Sequence, residues 1–203
     1  MPTSVRTERT AREREWLATS DEALVTLAVD NRAAYGVLYD RYLTRVYRYC
    51  YCRLNDRERA EDATSVIFAR ALMGLATCQG PSFRAWLFTI AHNVVVDDWR
   101  RSRPTFSLDA AMDLPDPAPG PGDAAEASEQ SHSLSEALRM LPDDQRQIIE
   151  LRIAGLTGPE IANLLGRSHD SVRSSQRRAL ARLRELLGIT AETESENGGN
   201  HAS

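Results

Sequence analysis

The chain has 203 residues, 42% of them hydrophobic, which is room for one or two domains whose cores need no disulfide or metal staple. No stretch offers the roughly 18 apolar residues of a membrane span, and the N-terminus (MPTSVRTERTAREREW) lacks an apolar signal core, so a cytoplasmic protein without membrane insertion is expected. Cys50, Cys52 and Cys78 show no CxxC or Cys/His ligand spacing, which disfavours a disulfide framework and a metal site and favours plain buried thiols.

The net charge of −4 argues against a nucleic-acid partner only until it is mapped. All 25 basic residues are Arg, whose planar fork suits phosphates and guanine edges. Residues 104–133 hold six acids and no base, whereas residues 167–184 hold six Arg against one acid. The 104–133 segment also has five Pro and two Gly, a composition that cannot bury enough apolar area to offset chain ordering. It reads as an acidic, partly stiff linker that holds two blocks apart and lets them move. The expected organisation is an N-terminal extension (1–20), a first block (21–103), the linker, a second block (134–187) and a tail (188–203).

In the first block, Thr19-Ser20-Asp21-Glu22 offers a helix cap followed by Leu24, Leu27 and Ala28 at helical spacing. From Tyr35, apolar positions recur every three or four residues through Leu38, Tyr42, Val46, Cys50 and Leu54, a long amphipathic helix. After Asn55-Asp56-Arg57, a third helix runs through Ala60, Ala63, Ile67, Ala71 and Leu75 with Glu61 and Asp62 exposed. Beyond the Thr77-Cys78-Gln79-Gly80-Pro81 loop, a fourth helix places Phe83, Trp86, Leu87, Ile90, Val94 and Trp99 inside and closes on Arg100 and Arg101. No stretch alternates like a half-buried strand, so the fold class is all-α, with two small helical domains.

The second block begins with Leu134, Leu138 and Leu141, breaks at Pro142 and resumes through Ile148 and Leu151. Thr157-Gly158-Pro159-Glu160 is a capping box with Pro in the first turn, and Gly166 stands where a left-handed cap would end a helix of about two turns. Ser168 caps a second helix with Val172, Ala179, Leu183 and Leu186 on one face. At about 100° per residue, Arg173, Ser174, Arg177 and Arg178 lie opposite that face. A short capped helix, a Gly turn and a second helix with a basic outer side form a helix-turn-helix, whose second helix reads the major groove.

The strings Tyr35-Gly36-Val37-Leu38-Tyr39-Asp40-Arg41-Tyr42, Ala60-Glu61-Asp62-Ala63-Thr64, Phe83 to Asn93, Leu141-Pro142, Glu160-Ile161-Ala162 and Ser171-Val172-Arg173-Ser174 occur in an order and at a total length that resemble the extracytoplasmic-function sigma factors of the sigma-70 family. The resemblance spans roughly residues 20–187. It implies that the first block is region 2, which docks on the coiled-coil of the largest subunit of core RNA polymerase and recognises and melts the minus-ten element. The second block would be region 4, which binds the minus-thirty-five element and the flap of the other large subunit.

On that resemblance Glu61, Asp62 and Ser65 contact core polymerase, and Arg173, Ser174, Arg177 and Arg178 bind minus-thirty-five DNA. Gln79, Phe83, Trp86, Asn93, Arg100 and Arg101 serve minus-ten binding and melting, although Phe83 and Trp86 lie on the apolar face and also read as core. Melting needs only that unpaired bases be held, and aromatic contacts supply about 1–3 kcal/mol per base. Promoter DNA, core polymerase and an anti-sigma factor are the implied partners, with no cofactor, metal or small-molecule substrate. Two departures stand out: Ser65-Val66 replaces a Gln-Glu common in the polymerase-binding helix, and Ser175 stands where an Arg is common. The competing reading is a dimeric helix-turn-helix regulator that does not bind core polymerase, which leaves residues 21–103 unexplained. No phosphate loop, paired His ligands or nucleophile motif supports an enzyme.

Overall fold

The computed structural model describes residues 16–78, 82–101 and 133–189, and among these every regular element is helical. The expected linker and tail, the first fifteen residues and Gln79 lie outside the described residues, apart from Ser133, Gly188 and Ile189.

In the first block each helix begins where a short polar side chain takes up an orphan backbone donor. Ser20 accepts from the Ala23 N–H to open α1 (Asp21–Ala28), and Asn31 accepts from Ala33 to open α2 (Arg32–Leu54). Asp56 accepts from Arg59 to open α3 (Arg57–Gly74). Between α2 and α3, Asn55 takes the left-handed conformation at φ 51° and its N–H returns to the Tyr51 carbonyl, which ends α2 within a single residue. Helix α3 closes in a 3₁₀ turn, Leu75–Thr77, and α4 (Phe83–Arg101) follows, its first turn bonded by Ser82 Oγ accepting from Ala85 N–H.

These four helices pack α1 on α2, α2 on α3, and α3 on α4. Leu24, Leu38, Val46, Ile67, Leu87 and Phe88 are fully buried at the centre. Tyr35 reaches across α3 to donate its hydroxyl to the Phe68 carbonyl at 2.6 Å, a buried bond that fixes the register of α2 against α3. Asp21 accepts from both Arg41 and Tyr42, which ties α1 to α2. Two expectations fail here: Leu27 and Trp99, assigned to apolar faces by their spacing, are 44% and 55% exposed.

In the second block, a helical segment at 133–139 leads to α5 (Asp143–Ile153), α6 (Gly158–Leu165) and α7 (His169–Leu186). Helix α7 packs on α5 and α6. Ala137, Leu138, Leu141, Ile149, Ala179 and Leu183 form a small separate core, while Leu134 and Leu186, both assigned to apolar faces, remain about two-fifths exposed.

The larger correction concerns the two blocks. The linker composition implied that they stand apart, but α5 packs on α2 and α6 packs on α4. Ile148, Leu151, Leu156, Ile161, Ala162 and Val172 belong to the same buried cluster as the α1–α4 core. Helical periodicity tells which face of a helix is apolar but not which neighbour covers it, and here part of the second block's apolar surface is covered by the first.

Candidate nucleic-acid interface

The helix-turn-helix is set by its caps. Thr157 Oγ1 accepts from the Glu160 N–H, and Glu160 Oε2 accepts from the Thr157 N–H at 2.7 Å, so both halves of the capping box are made. Gly166 at φ 62° carries its N–H back to the carbonyls of Ala162 and Asn163. That left-handed turn costs a residue with a Cβ about 1 kcal/mol, which is why Gly ends this helix so sharply. Ser168 then accepts from the Ser171 N–H, and α7 starts at His169 with only Arg167 and Ser168 between it and the Gly turn.

Val172, Ser175, Ala179 and Leu183 are the buried residues of α7. The opposite side carries Arg173 and Arg177, exposed and without a hydrogen bond or ion pair to any described residue. Arg178 is also exposed and donates to Ser175 Oγ at 3.3 Å, while Ser174 is half-buried. Free guanidinium forks on the first three turns of a helix that follows a Gly turn are suited to guanine O6/N7 and phosphates.

Ser175 has 0% exposure and donates to Asp144 Oδ2 of α5 at 3.2 Å. It therefore stitches α7 to α5, and its lack of an Arg leaves no gap in the outward surface. The signal was present in the sequence, because positions 172, 175, 179 and 183 keep one helical face. Arg167, not singled out by its sequence pattern, donates to Ser171 Oγ at 3.0 Å and pairs with Asp144 at 3.8 Å, which braces the turn from outside.

In the first block, Asn93, Arg100 and Arg101 are exposed on α4, the two Arg in its last turn where cations complement the helix dipole. Trp86 is half-buried, its ring lying so close to Gly74 that a Cβ there would sit 3.3 Å from Trp86 Cζ2. Phe83 needs correction as a DNA contact: it is 2% exposed, packed edge-on to Tyr42 with ring centroids 5.5 Å apart and tilted against Trp86 at 5.8 Å. It has no free face for a base. His92 is half-buried, its Nδ1 lying 3.1 Å from Gln147 Nε2 and 3.4 Å from the Tyr49 hydroxyl, and burial with the nearby Arg53 charge pushes its pKa below the ordinary imidazole value.

On α3, Glu61, Asp62 and Ser65 are exposed beside Val66 and Met73, a mixed acidic and apolar strip. Arg57 donates to Glu61 Oε1 at 2.9 Å, and Ser65 Oγ donates to the Glu61 carbonyl at 3.0 Å. The thiols are held protonated: burial pushes Cys50 up to about 12 and Cys52 up to about 11, and it also raises Cys78.

An all-helical block with an exposed acidic strip, joined to a helix-turn-helix with unpaired outward Arg, defines a DNA-binding protein of the transcription machinery. The family model for Sigma-70 region 2 matches residues 38–105, and that for Sigma-70, region 4 matches residues 131–183. The ECF RNA polymerase sigma factor ShbA of Streptomyces griseus is 34% identical over 185 residues, spanning 82% of this chain and 97% of that protein. The ECF RNA polymerase sigma factor BldN of Streptomyces coelicolor is 38% identical over 161 residues, which are 76% of this chain but 60% of BldN. The solved structure of CnrH in complex with the cytosolic domain of CnrY superposes with a TM-score of 0.62 at 26% identity, covering 84% of this chain and 98% of that one. The chain belongs to the extracytoplasmic-function RNA polymerase sigma factors, alternative sigma factors of the sigma-70 family. The dimeric-regulator reading is set aside, because the relatives align over both blocks. No helix among the described residues is long and apolar enough to cross a membrane.

Proposed function

We propose that this chain docks on core RNA polymerase through the Glu61, Asp62 and Ser65 strip of α3 and directs promoter recognition with two separate surfaces. Residues 21–103 act as region 2 and residues 134–187 as region 4. Asn93, Trp86, Arg100 and Arg101 on α4, with Gln79 before it, engage the minus-ten element, and Arg173, Ser174, Arg177 and Arg178 on α7 engage the minus-thirty-five element. The observation that carries this reading is the outward pair Arg173 and Arg177, unpaired on a recognition helix whose caps and buried face are complete.

The polymerase contact follows from sign and position. The α3 strip holds two carboxylates that no region 4 residue covers among the described contacts, together with Val66 and the 79%-exposed Met73, and such a mixed patch suits a basic, partly apolar helical partner. An anti-sigma factor is the further partner we assign, one that grips both blocks; CnrH, the solved neighbour, is in complex with the cytosolic domain of CnrY. The test is co-elution with core polymerase. Replacing Glu61 and Asp62 with Arg abolishes co-elution while helicity by circular dichroism is unchanged, and undiminished binding would move the contact off α3.

A further inference from the structure

One edge of the recognition helix carries a polar network that base reading leaves unused. Ser171, Ser175 and Arg178 descend a single line of α7, while Arg173 and Arg177 run along its outer side. Asp144 of α5 stands beside that line. Its Oδ2 accepts from Ser175 Oγ at 3.2 Å, and Ser175 Oγ in turn accepts from Arg178 Nη2 at 3.3 Å. The same Oδ2 lies 3.8 Å from Arg167 Nη1, and Arg167 Nη2 donates to Ser171 Oγ at 3.0 Å. One carboxylate oxygen thus gathers two guanidiniums, one directly from the Gly turn and one, through Ser175, from the third turn of α7.

Burial separates the anchor from the parts that face solvent. Ser175 is 0% exposed and fixes the carboxylate from the inside, whereas the side chains of Asp144 and Arg167 are 53% and 30% exposed. An Arg carries five N–H donors. The network engages one N–H of Arg178 and no more than two of Arg167, so both forks keep donors that no described residue takes. A half-exposed carboxylate beside a surface that meets DNA would by itself repel phosphates; with two cations held against it, the edge is net positive by one charge. A fork already held in place also loses less rotamer freedom when a phosphate arrives.

We propose that Arg167 and Arg178 form a binding edge for DNA backbone phosphates beside the base-reading face, and that Asp144 is the positioning residue that sets this edge without touching DNA. The proposal rests on the region 4 reading above and adds Arg167 to its contacts. Phosphate contacts carry no sequence information, so the edge sets strength and register on the duplex and leaves base preference to Arg173 and Arg177.

The test uses holoenzyme reconstituted with the full chain and a fluorescent promoter duplex, titrated from about 50 to about 200 mM salt. Arg167→Ala should weaken all promoters alike and lower the salt slope by about one. Asp144→Asn keeps an acceptor for Ser175 but drops the charge that holds Arg167. The fork must then be ordered on binding, so affinity should fall roughly two- to tenfold with little change in slope. That sign is diagnostic, because removing a negative charge beside DNA would otherwise tighten binding. In the Arg167→Ala background the same Asp144→Asn change should no longer weaken binding, which separates positioning from a folding defect. If Asp144→Asn loses helicity by circular dichroism, Ser171→Ala replaces it: this change frees the other end of Arg167, leaves the Ser175–Asp144 bond intact and should give a smaller loss of affinity. Tighter binding by Asp144→Asn, equal weakening with and without Arg167, an altered base preference, or an unchanged slope in Arg167→Ala overturns the edge. If Arg173→Ala and Arg177→Ala instead keep wild-type preference and strength while the Arg167 and Asp144 variants behave as stated, the base-reading assignment falls and the phosphate edge stands.

Discussion

Glu150 offers a quantitative check on the seam between the blocks. It lies on α5 facing α2, its side chain 3% exposed, and burial pushes its carboxyl from 4.5 up to about 7, against the pull of Arg53 and Arg146. Geometry explains why the cations do not win: Arg53 Nη1 is 3.8 Å from Oε2 and Arg146 Nε is 3.6 Å from Oε1, both beyond hydrogen-bond reach, and Oε2 has no hydrogen-bond partner. Both Arg spend their short bonds on Asp143 instead, each at 2.8 Å. Because the folded pKa is raised, the folded state holds a proton that the unfolded state has released between pH 4.5 and about 7. Stability from this group is therefore full at low pH and falls as pH rises through that window. Holding that proton from 4.5 up to about 7 corresponds to roughly 3 kcal/mol of stability lost by neutral pH.

Glu150→Gln removes the titration and keeps the shape, and Arg53 and Arg146 keep Asp143, so no charge is stranded. Urea unfolding of the two proteins should agree within about 1 kcal/mol at pH 5, and the variant should be the more stable by up to about 3 kcal/mol at pH 7.5. His92 acts in the opposite sense, its lowered pKa costing stability as pH falls, and Tyr49, Cys52 and Asp143 also face this pocket. All of them are common to both proteins and cancel in the difference. A difference that does not vary with pH, or a variant less stable at pH 7.5, would refute the reasoning.

Arg173→Ala or Arg177→Ala should cost about 1–3 kcal/mol and relax preference at one minus-thirty-five position, whereas Arg178→Ala should weaken all promoters alike and lower the salt slope by about one. In vitro transcription across promoters varied one base at a time reads both, and wild-type preference in all three variants would move the recognition surface elsewhere. Asn93→Ala, exposed on α4, should leave holoenzyme formation intact while reducing permanganate reactivity of minus-ten thymines; equal loss of both would mean a folding defect. Cys50, with its thiol pushed up to about 12 and no exposed surface, should resist iodoacetamide in the native chain at pH 7.5 and react once urea unfolds it.

The sequence by itself determined the helices and their caps. Ser20, Thr157, Ser168 and Gly166 act locally, through bonds to backbone groups within a few residues, so reading neighbours along the chain was enough to place them. The helix-turn-helix and its outward Arg face were legible for the same reason, since α6 and α7 are joined by two residues beyond the Gly turn. Even the burial of Ser175 was within reach of its helical spacing. What only the tertiary structure decided is which apolar surfaces meet. Phe83 and Trp99 have equally good helical spacing, yet Tyr42 and Trp86 cover one, and the other stays more than half exposed. The second block's Ile148, Leu151 and Ile161 could as well have closed on their own domain, and the Pro-rich acidic linker argued that they did. Their burial against α2 and α4, with Glu160 on Ser82 and Arg53 on Asp143, depends on partners between 76 and 90 positions away in the chain, a separation that no local periodicity records.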